Sequence, residues 1–230
     1  ERSDFVITVS DNIGKNLKIK NRTTIYNGID LERFKRNEQA NLEVRLALGL
    51  SDNDLMLLAV GRLHEAKDYP NLFHAIEILL KQDDEHKNIY LFVVGDGDLR
   101  SELEHLITEK KLSTQVHLLG RRSDIPQLMS AADLFILSSS FEGFGLVVAE
   151  AMACQTYVVA TDCGGVKEVM GDTGILVQPK NSLDLAQALM RALNLPDIEV
   201  IQNNMKAVKH IRKNFDLQNI VTKWLELYAN

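Results

Sequence analysis

The residues best placed to do chemistry lie in SSSFEGFGLVVAEAMAC, Ser138 to Cys154, where Glu142 and Glu150 stand on either side of a glycine-rich turn. An apolar run, Leu134 to Leu137, stops at three serines, Gly143 and Gly145 bracket Phe144, and a small-residue pattern (Val147, Val148, Ala149, Ala151, Met152) begins after Leu146. That order predicts a strand, a tight turn and a helix. The turn leaves unpaired backbone N–H groups at the helix start, where they and the helix dipole favour an anion such as a phosphate. Glycines let a backbone approach it closely. Glu142 in the turn and Glu150 in the second helical turn can each accept hydrogen bonds from vicinal hydroxyls, which sugars carry. E-x7-E spacing alone is common by chance, and a solvated loop acid with an exposed helix acid explains it as well; the EGFG context is what favours a ligand. Phe144 also reads as a core anchor.

Other loops carry matching chemistry. In GRLHEAKDYP, Gly61 gives a close turn, and Arg62 and Lys67 are two cations suited to a diphosphate, the first as a bidentate fork and the second as a point charge. Read alone, they are equally surface charges. In VGDGDLRSELE, Gly95 and Gly97 suggest a dinucleotide turn, but Arg100 stands where a third glycine belongs, so a plain strand-to-helix turn lining a nucleotide pocket fits better. Arg121, after Gly120, is either a neighbour of a base or a surface arginine. The six histidines form no ligand set, and a surface or hydrogen-bonded role suits His64.

Those loops need a frame, and the chain predicts one. From Leu55 apolar strands (Leu55–Val60, Ile89–Val94, Val116–Leu119, Leu134–Leu137, Thr156–Ala160, Ile175–Val177) alternate with amphipathic helices, the first from about Tyr69 to Lys81. Continuous apolar strands between helices mean an α/β fold with a doubly wound parallel sheet covered on both faces. Such sheets bind ligands at the carboxyl ends of their strands. Before this frame come a strand from Phe5 to Val9, a small helix reaching about Ile19, a strand from Thr23 to Tyr26, and a polar stretch from Arg33 to Glu43 that reads as a linker or a poorly packed connection. After it come helical patterns around Val200–Ile211 and Leu217–Tyr228, the second with an apolar stripe (Leu217, Ile220, Val221, Trp224, Leu225, Tyr228) that needs a partner surface.

With 230 residues, 45% hydrophobic, the chain can bury a substantial core. A net charge of −6 disfavours general nucleic-acid binding. No stretch reaches the ~18 apolar residues of a membrane span. Cys154 and Cys163 lack metal-ligand spacing and read as buried free thiols, with the cytoplasm as the expected compartment.

In order, IYNGID with Phe34, GRLHEAK, VVGDGDLRSELE, HLLGRRSDIPQLMSAADLFILSS, FEGFGLVVAEAMAC and TDCGGVKEV resemble the nucleotide-sugar-binding half of GT-B retaining glycosyltransferases of family 4. The resemblance implies a Rossmann-like domain over 30–214, a remnant of an acceptor domain over 1–29, and over 215–230 a helix that crosses back to that domain. It implies that Arg62, Lys67 and Glu142 are catalytic, Arg62 and Lys67 holding the donor diphosphate and Glu142 meeting the transferred sugar. Gly61, Gly95, Gly97, Arg121, Gly143, Phe144, Gly145, Leu146 and Glu150 would bind the donor, Glu150 taking the ribose hydroxyls and Arg121 lying near the base. The implied reaction transfers a hexose-type sugar from a nucleoside diphosphate to an acceptor hydroxyl with retention, without cofactor or metal. The acceptor, saccharide or lipid-linked, would come through the other domain, with peripheral contact to a membrane. Alone, the chain is expected to transfer nothing and to self-associate. A nucleotide-sugar-binding module without transfer, or a GT-B epimerase or phosphorylase, are the alternatives.

Overall fold

The structure is a computed structural model and describes residues 6–16, 21–82 and 88–229. The expected starts and stops at Phe5 and Ile19 lie outside the described residues. The first unit is small: β1 (Val6–Thr8), α1 (Asp11–Asn16) and β2 (Arg22–Thr24), the two strands pairing in parallel with Val6 opposite Arg22. The main domain then runs α2 (Glu38–Ala47), β3 (Leu55–Val60), α3 (Tyr69–Gln82), β4 (Ile89–Val94), α4 (Arg100–Glu109), β5 (Val116–Gly120), α5 (Ile125–Ala131) and β6 (Leu134–Leu137). It continues with α6 (Leu146–Ala153), β7 (Tyr157–Thr161), α7 (Val166–Met170), β8 (Ile175–Val177), α8 (Ser182–Leu193), α9 (Asp197–Phe215) and α10 (Leu217–Ala229).

Strands β3 to β8 form one parallel sheet in the order β5-β4-β3-β6-β7-β8, the doubly wound frame that the alternation predicts. The chain steps outward from β3 to β5, returns to lay β6 beside β3, and steps outward again to β8. The order therefore reverses between β3 and β6, the position where the connecting loops diverge and leave a crevice at the carboxyl ends. Both loops singled out for chemistry, after β3 and after β6, start at that crevice.

Alternation along the strands divides the core in two. Met56 and Leu58 of β3 pack with α5, α6 and α9 on one face, whereas Leu57 and Ala59 pack with α3, α4 and α8 on the other. Both faces of β3 are fully covered, which is why its sequence is continuously apolar.

The polar stretch from Arg33 to Glu43 is not a linker; its second half is the start of α2. Asn37 caps that helix by accepting the Ala40 N–H at 3.0 Å, and only Ala40 and Val44 are buried, too few to give a strong apolar stripe. Arg45 does the rest, donating to the carbonyls of Ala131, Ser51 and Asp54 and pairing with Asp133 at 3.1 Å. The other differences are at boundaries: β2 ends at Thr24, β7 is shifted one residue to Tyr157–Thr161, and Leu99 precedes α4 rather than lying in it. Cys154 and Cys163 are buried and free.

At the far end α9 and α10 meet at Asp216, which bridges Ile29: the Ile29 N–H donates to Phe215 O at 2.7 Å, and the Leu217 N–H to Ile29 O at 3.0 Å. Ile220 of α10 is buried, while Val221, Leu225 and Tyr228 are exposed and Trp224 stacks on Tyr228.

Candidate functional site

The loop after β3 is built to lay Lys67 against Glu142. A Cβ at Gly61 would come within 2.9 Å of Lys67 Cε, so the glycine makes room for the lysine stem. Tyr69 Oη donates to the Gly61 carbonyl at 3.1 Å, and His64 caps the short 3₁₀ turn Glu65–Lys67 through its Nδ1, which accepts the Ala66 N–H. The loop after β6 is tied to this one: the Ser140 N–H donates to Ala66 O and Ser138 Oγ to Lys67 O, both at 2.8 Å. The result is a contact between two of the three residues expected to be catalytic. Lys67 Nζ lies 2.6 Å from Glu142 Oε1, which also accepts from Ser139 Oγ at 2.7 Å. Both side chains are largely buried, and the cavity beside Lys67, Ser138 and Ser139 is only about 10 Å³. A diphosphate that binds Lys67 must compete with Glu142 for it.

Arg62 is on the rim. It pairs with Asp98 at 3.0 Å, both groups being more than half exposed, and such a pair is weak enough to yield to a phosphate. Arg121 is exposed, 3.9 Å from Asp96. Gly95 and Gly97 have a packing reason to be glycine: a Cβ would lie 1.9 Å from the Gly61 carbonyl oxygen and 2.3 Å from that of Leu63. They hold the β4 loop against the β3 loop.

The turn before α6 forms as the glycines predict. Gly145 is the N-cap residue with φ of 91°, in the left-handed region that favours glycine, and Leu146, 41% exposed, opens the helix. The Phe144 side chain is a core anchor. It packs against Tyr26 (ring centroids 6.0 Å apart) and edge-on against Phe215 (5.3 Å). Glu150 is half-buried, and burial pushes its carboxyl up to about 7 against an opposing pull from Arg33. Arg33 lies over the Phe34 ring at 5.1 Å. It also lines a cavity of about 580 Å³ with Lys35, Arg36 and Ser123, none of them among the expected site residues.

Sequence reasoning did not assign three groups that the structure brings in. Ser139 was legible only as one of three serines. Arg33 had no signal beyond its place beside Phe34. Gly164 and Gly165, within TDCGGVKEV, carry the Glu142 loop: Gly164 has φ of 56°, and a Cβ there would lie 1.6 Å from the Glu142 carbonyl oxygen, while one on Gly165 would lie 3.0 Å from that of Gly143.

Relatives share this arrangement of elements. The family model described as glycosyl transferases group 1 matches residues 42–214. The chain is 33% identical over 211 residues to an uncharacterized glycosyltransferase of Methanocaldococcus jannaschii, which covers 89% of this chain and 53% of that protein. It is 27% identical over 237 residues to N-acetyl-alpha-D-glucosaminyl L-malate synthase of Bacillus anthracis, 99% of this chain and 60% of that one. Among solved structures, Anabaena Alr3699/HepE in complex with UDP-glucose superposes with a TM-score of 0.88 at 27% identity, over 99% of this chain and 64% of that one. Sucrose-phosphate synthase from Thermosynechococcus elongatus superposes with a TM-score of 0.89 at 27% identity, over 100% of this chain and 58% of that one. The chain thus spans about half to two thirds of the length of these proteins. By its family match and its parallel six-stranded fold, it belongs to the glycosyl transferases group 1.

Proposed function

We propose that this chain is the donor-binding domain of a retaining GT-B glycosyltransferase of family 4, which takes a hexose-type sugar from a nucleoside diphosphate. The observation that carries the reading is the Lys67–Glu142 contact at the β3/β6 switch, with Arg62 on the rim and the α6 N-terminus alongside. In this reading Arg62 and Lys67 hold the diphosphate, Glu142 turns to the hydroxyls of the sugar, Glu150 takes the ribose diol and Arg121 faces the base. The anomeric C–O bond breaks with its electron pair leaving on the β-phosphate, the acceptor oxygen bonds the same face of that carbon, and the departing phosphate oxygen takes the acceptor's proton. Two cations and a helix N-terminus neutralise the leaving charge, so no metal is called for. The neighbours solved with UDP-glucose and with UDP support a nucleotide-sugar donor. A second domain, of which 1–29 is the end, would bring a saccharide or lipid-linked acceptor, at the cytoplasmic face of a membrane. Among the described residues no helix is long and apolar enough to cross one.

The test is calorimetric titration of UDP-, GDP- and ADP-sugars, with and without EDTA. Binding of one of them at submillimolar Kd, unchanged by EDTA, is expected. Failure of all three at millimolar concentration, with the protein folded, defeats the reading.

A further inference from the structure

Outside the Lys67–Glu142 contact, the Glu168 carboxylate accepts three hydrogen bonds from groups far away in sequence. Glu168, in α7, accepts the Asp11 N–H at 2.9 Å and the Tyr26 hydroxyl at 3.0 Å on Oε2, and the Asn12 N–H at 2.7 Å on Oε1. Burial, and then Glu168 itself, raise the pKa of Tyr26, which keeps its hydroxyl a donor. The β1–α1–β2 unit, through Asp11 and Asn12, and Tyr26 just after it are therefore tied to α7 by three hydrogen bonds to a single side chain. Asn12 Nδ2 adds a fourth tie, to the Gly164 carbonyl at 2.5 Å.

The tie continues to the sugar-facing loop. Gly165 is sandwiched, since a Cβ there would lie 2.8 Å from Ser10 Cβ on one side and 3.0 Å from Gly143 O on the other. Gly164 bears on the Glu142 carbonyl in the same way. Tyr26, besides bonding Glu168, packs its ring on Phe144, which stands between Gly143 and Gly145. The polar tie from Asn12 to Gly164, which bears on the Glu142 carbonyl, and the aromatic contact of Tyr26 with Phe144 thus join the small unit and Tyr26 to Glu142 and to the residue two positions after it.

We propose that Glu168 is a positioning residue, which fixes the Glu142–Gly145 loop relative to the β1–α1–β2 unit so that occupancy of the sugar subsite and attachment of that unit are coupled. This rests on the donor-domain reading. Coupling of this kind is reciprocal: a sugar that orders the loop tightens the unit, and release of the unit loosens the loop.

Glu168→Gln is diagnostic because an amide has one acceptor oxygen. Whichever way it is turned, at least one of the two backbone N–H groups faces an NH₂. Tyr26→Phe removes only the third donor and keeps the ring. Two measurements apply to the wild type and both variants: hydrogen exchange of the amides of residues 6–16 and 22–26, and Kd for UDP and for UDP-glucose, with GDP and GDP-mannose as the second pair. Expected are about tenfold faster exchange in Glu168→Gln, and a loss of about fivefold or more in affinity for the nucleotide-sugar with the free nucleotide within twofold. Tyr26→Phe should show a smaller loss with the same pattern, and Glu168→Asp should recover part of it. Unchanged exchange in Glu168→Gln overturns the proposal. Faster exchange with equal effects on both ligands also overturns it, because Glu168 is then only a cap on α1. If the wild type binds no nucleotide, the donor reading falls, the exchange arm still reports on the tie, and the coupling claim falls with the donor reading.

Discussion

Lys67 and Glu142 meet at 2.6 Å, so their removal has two consequences where removal of Arg62 has one. Arg62→Ala and Lys67→Ala should each weaken nucleoside-diphosphate binding by about 1.5–3 kcal/mol, the range for charge-assisted hydrogen bonds. Only Lys67→Ala should also lower stability, by about 1–3 kcal/mol, because it strands a largely buried carboxylate; calorimetry and denaturant titration of both variants separate the effects. Glu142→Gln should weaken the nucleotide-sugar but not the free nucleotide, whose diphosphate loses a competitor for Lys67, whereas Glu150→Gln should weaken both, as read by titration with the same ligand pair. Glu150 adds a pH dependence. Its carboxyl is raised to about 7 by burial, so the folded state holds its proton longer than the unfolded chain does, and stability falls as pH rises from about 4.5 to 7. A ribose diol donating to the carboxylate favours the charged form and pulls that pKa down. Nucleotide affinity should therefore increase from pH 6 to 8 with proton release on binding, a slope seen by calorimetry in two buffers of different ionisation heat and absent in Glu150→Gln.

At the scale of elements, the loop after β6 holds its course because the Gly164 turn after β7 comes up against it. Gly164→Ala demands a methyl where the Glu142 carbonyl oxygen lies and a φ of 56° that alanine resists. It should cost about 1–3 kcal/mol in thermal or denaturant unfolding and weaken the nucleotide-sugar more than the nucleotide. Asn37→Ala should cost about 1 kcal/mol by uncapping α2 and leave nucleotide binding untouched, a contrast that the same two assays resolve. The sheet and most helices were legible because burial on both faces of β3 and β6 leaves continuous apolar runs, and Gly145 and the Asn181 cap mark helix starts by local chemistry. Helix α2 was not, since Leu42 and Leu46 are exposed and its anchor is an arginine bonding to three carbonyls, two in the turn that follows the helix and one at the end of α5. The Lys67–Glu142 pairing and the Glu168 ties were out of reach for the same reason: spacing along a chain does not reveal contacts across 75 or 157 positions.

At the scale of the molecule, the apolar stripe on α10 is only partly used. Ile220 is buried, but Leu225 and Tyr228 are 64% and 79% exposed. The isolated chain should therefore associate through this face, and Leu225→Asp should return it to a monomer by light scattering without lowering its melting temperature, since that side chain packs on little. It should also transfer no sugar by itself, because orientation of donor and acceptor, about 7–11 kcal/mol of the barrier, needs both halves of a cleft; radiolabelled donor with a glycan acceptor is the assay. The bridge between Ile29 and Asp216 gives this organisation another property. The segments that enter and leave residues 30–215 are hydrogen-bonded neighbours, about 5 Å apart. A module whose two ends meet at one doorway can be lifted out of one host and set into another through a gap no wider than a single strand spacing. It can also have its ends sealed by a short linker and be reopened at an exposed loop, so exchange of donor preference between hosts by recombination at this doorway is open to the fold.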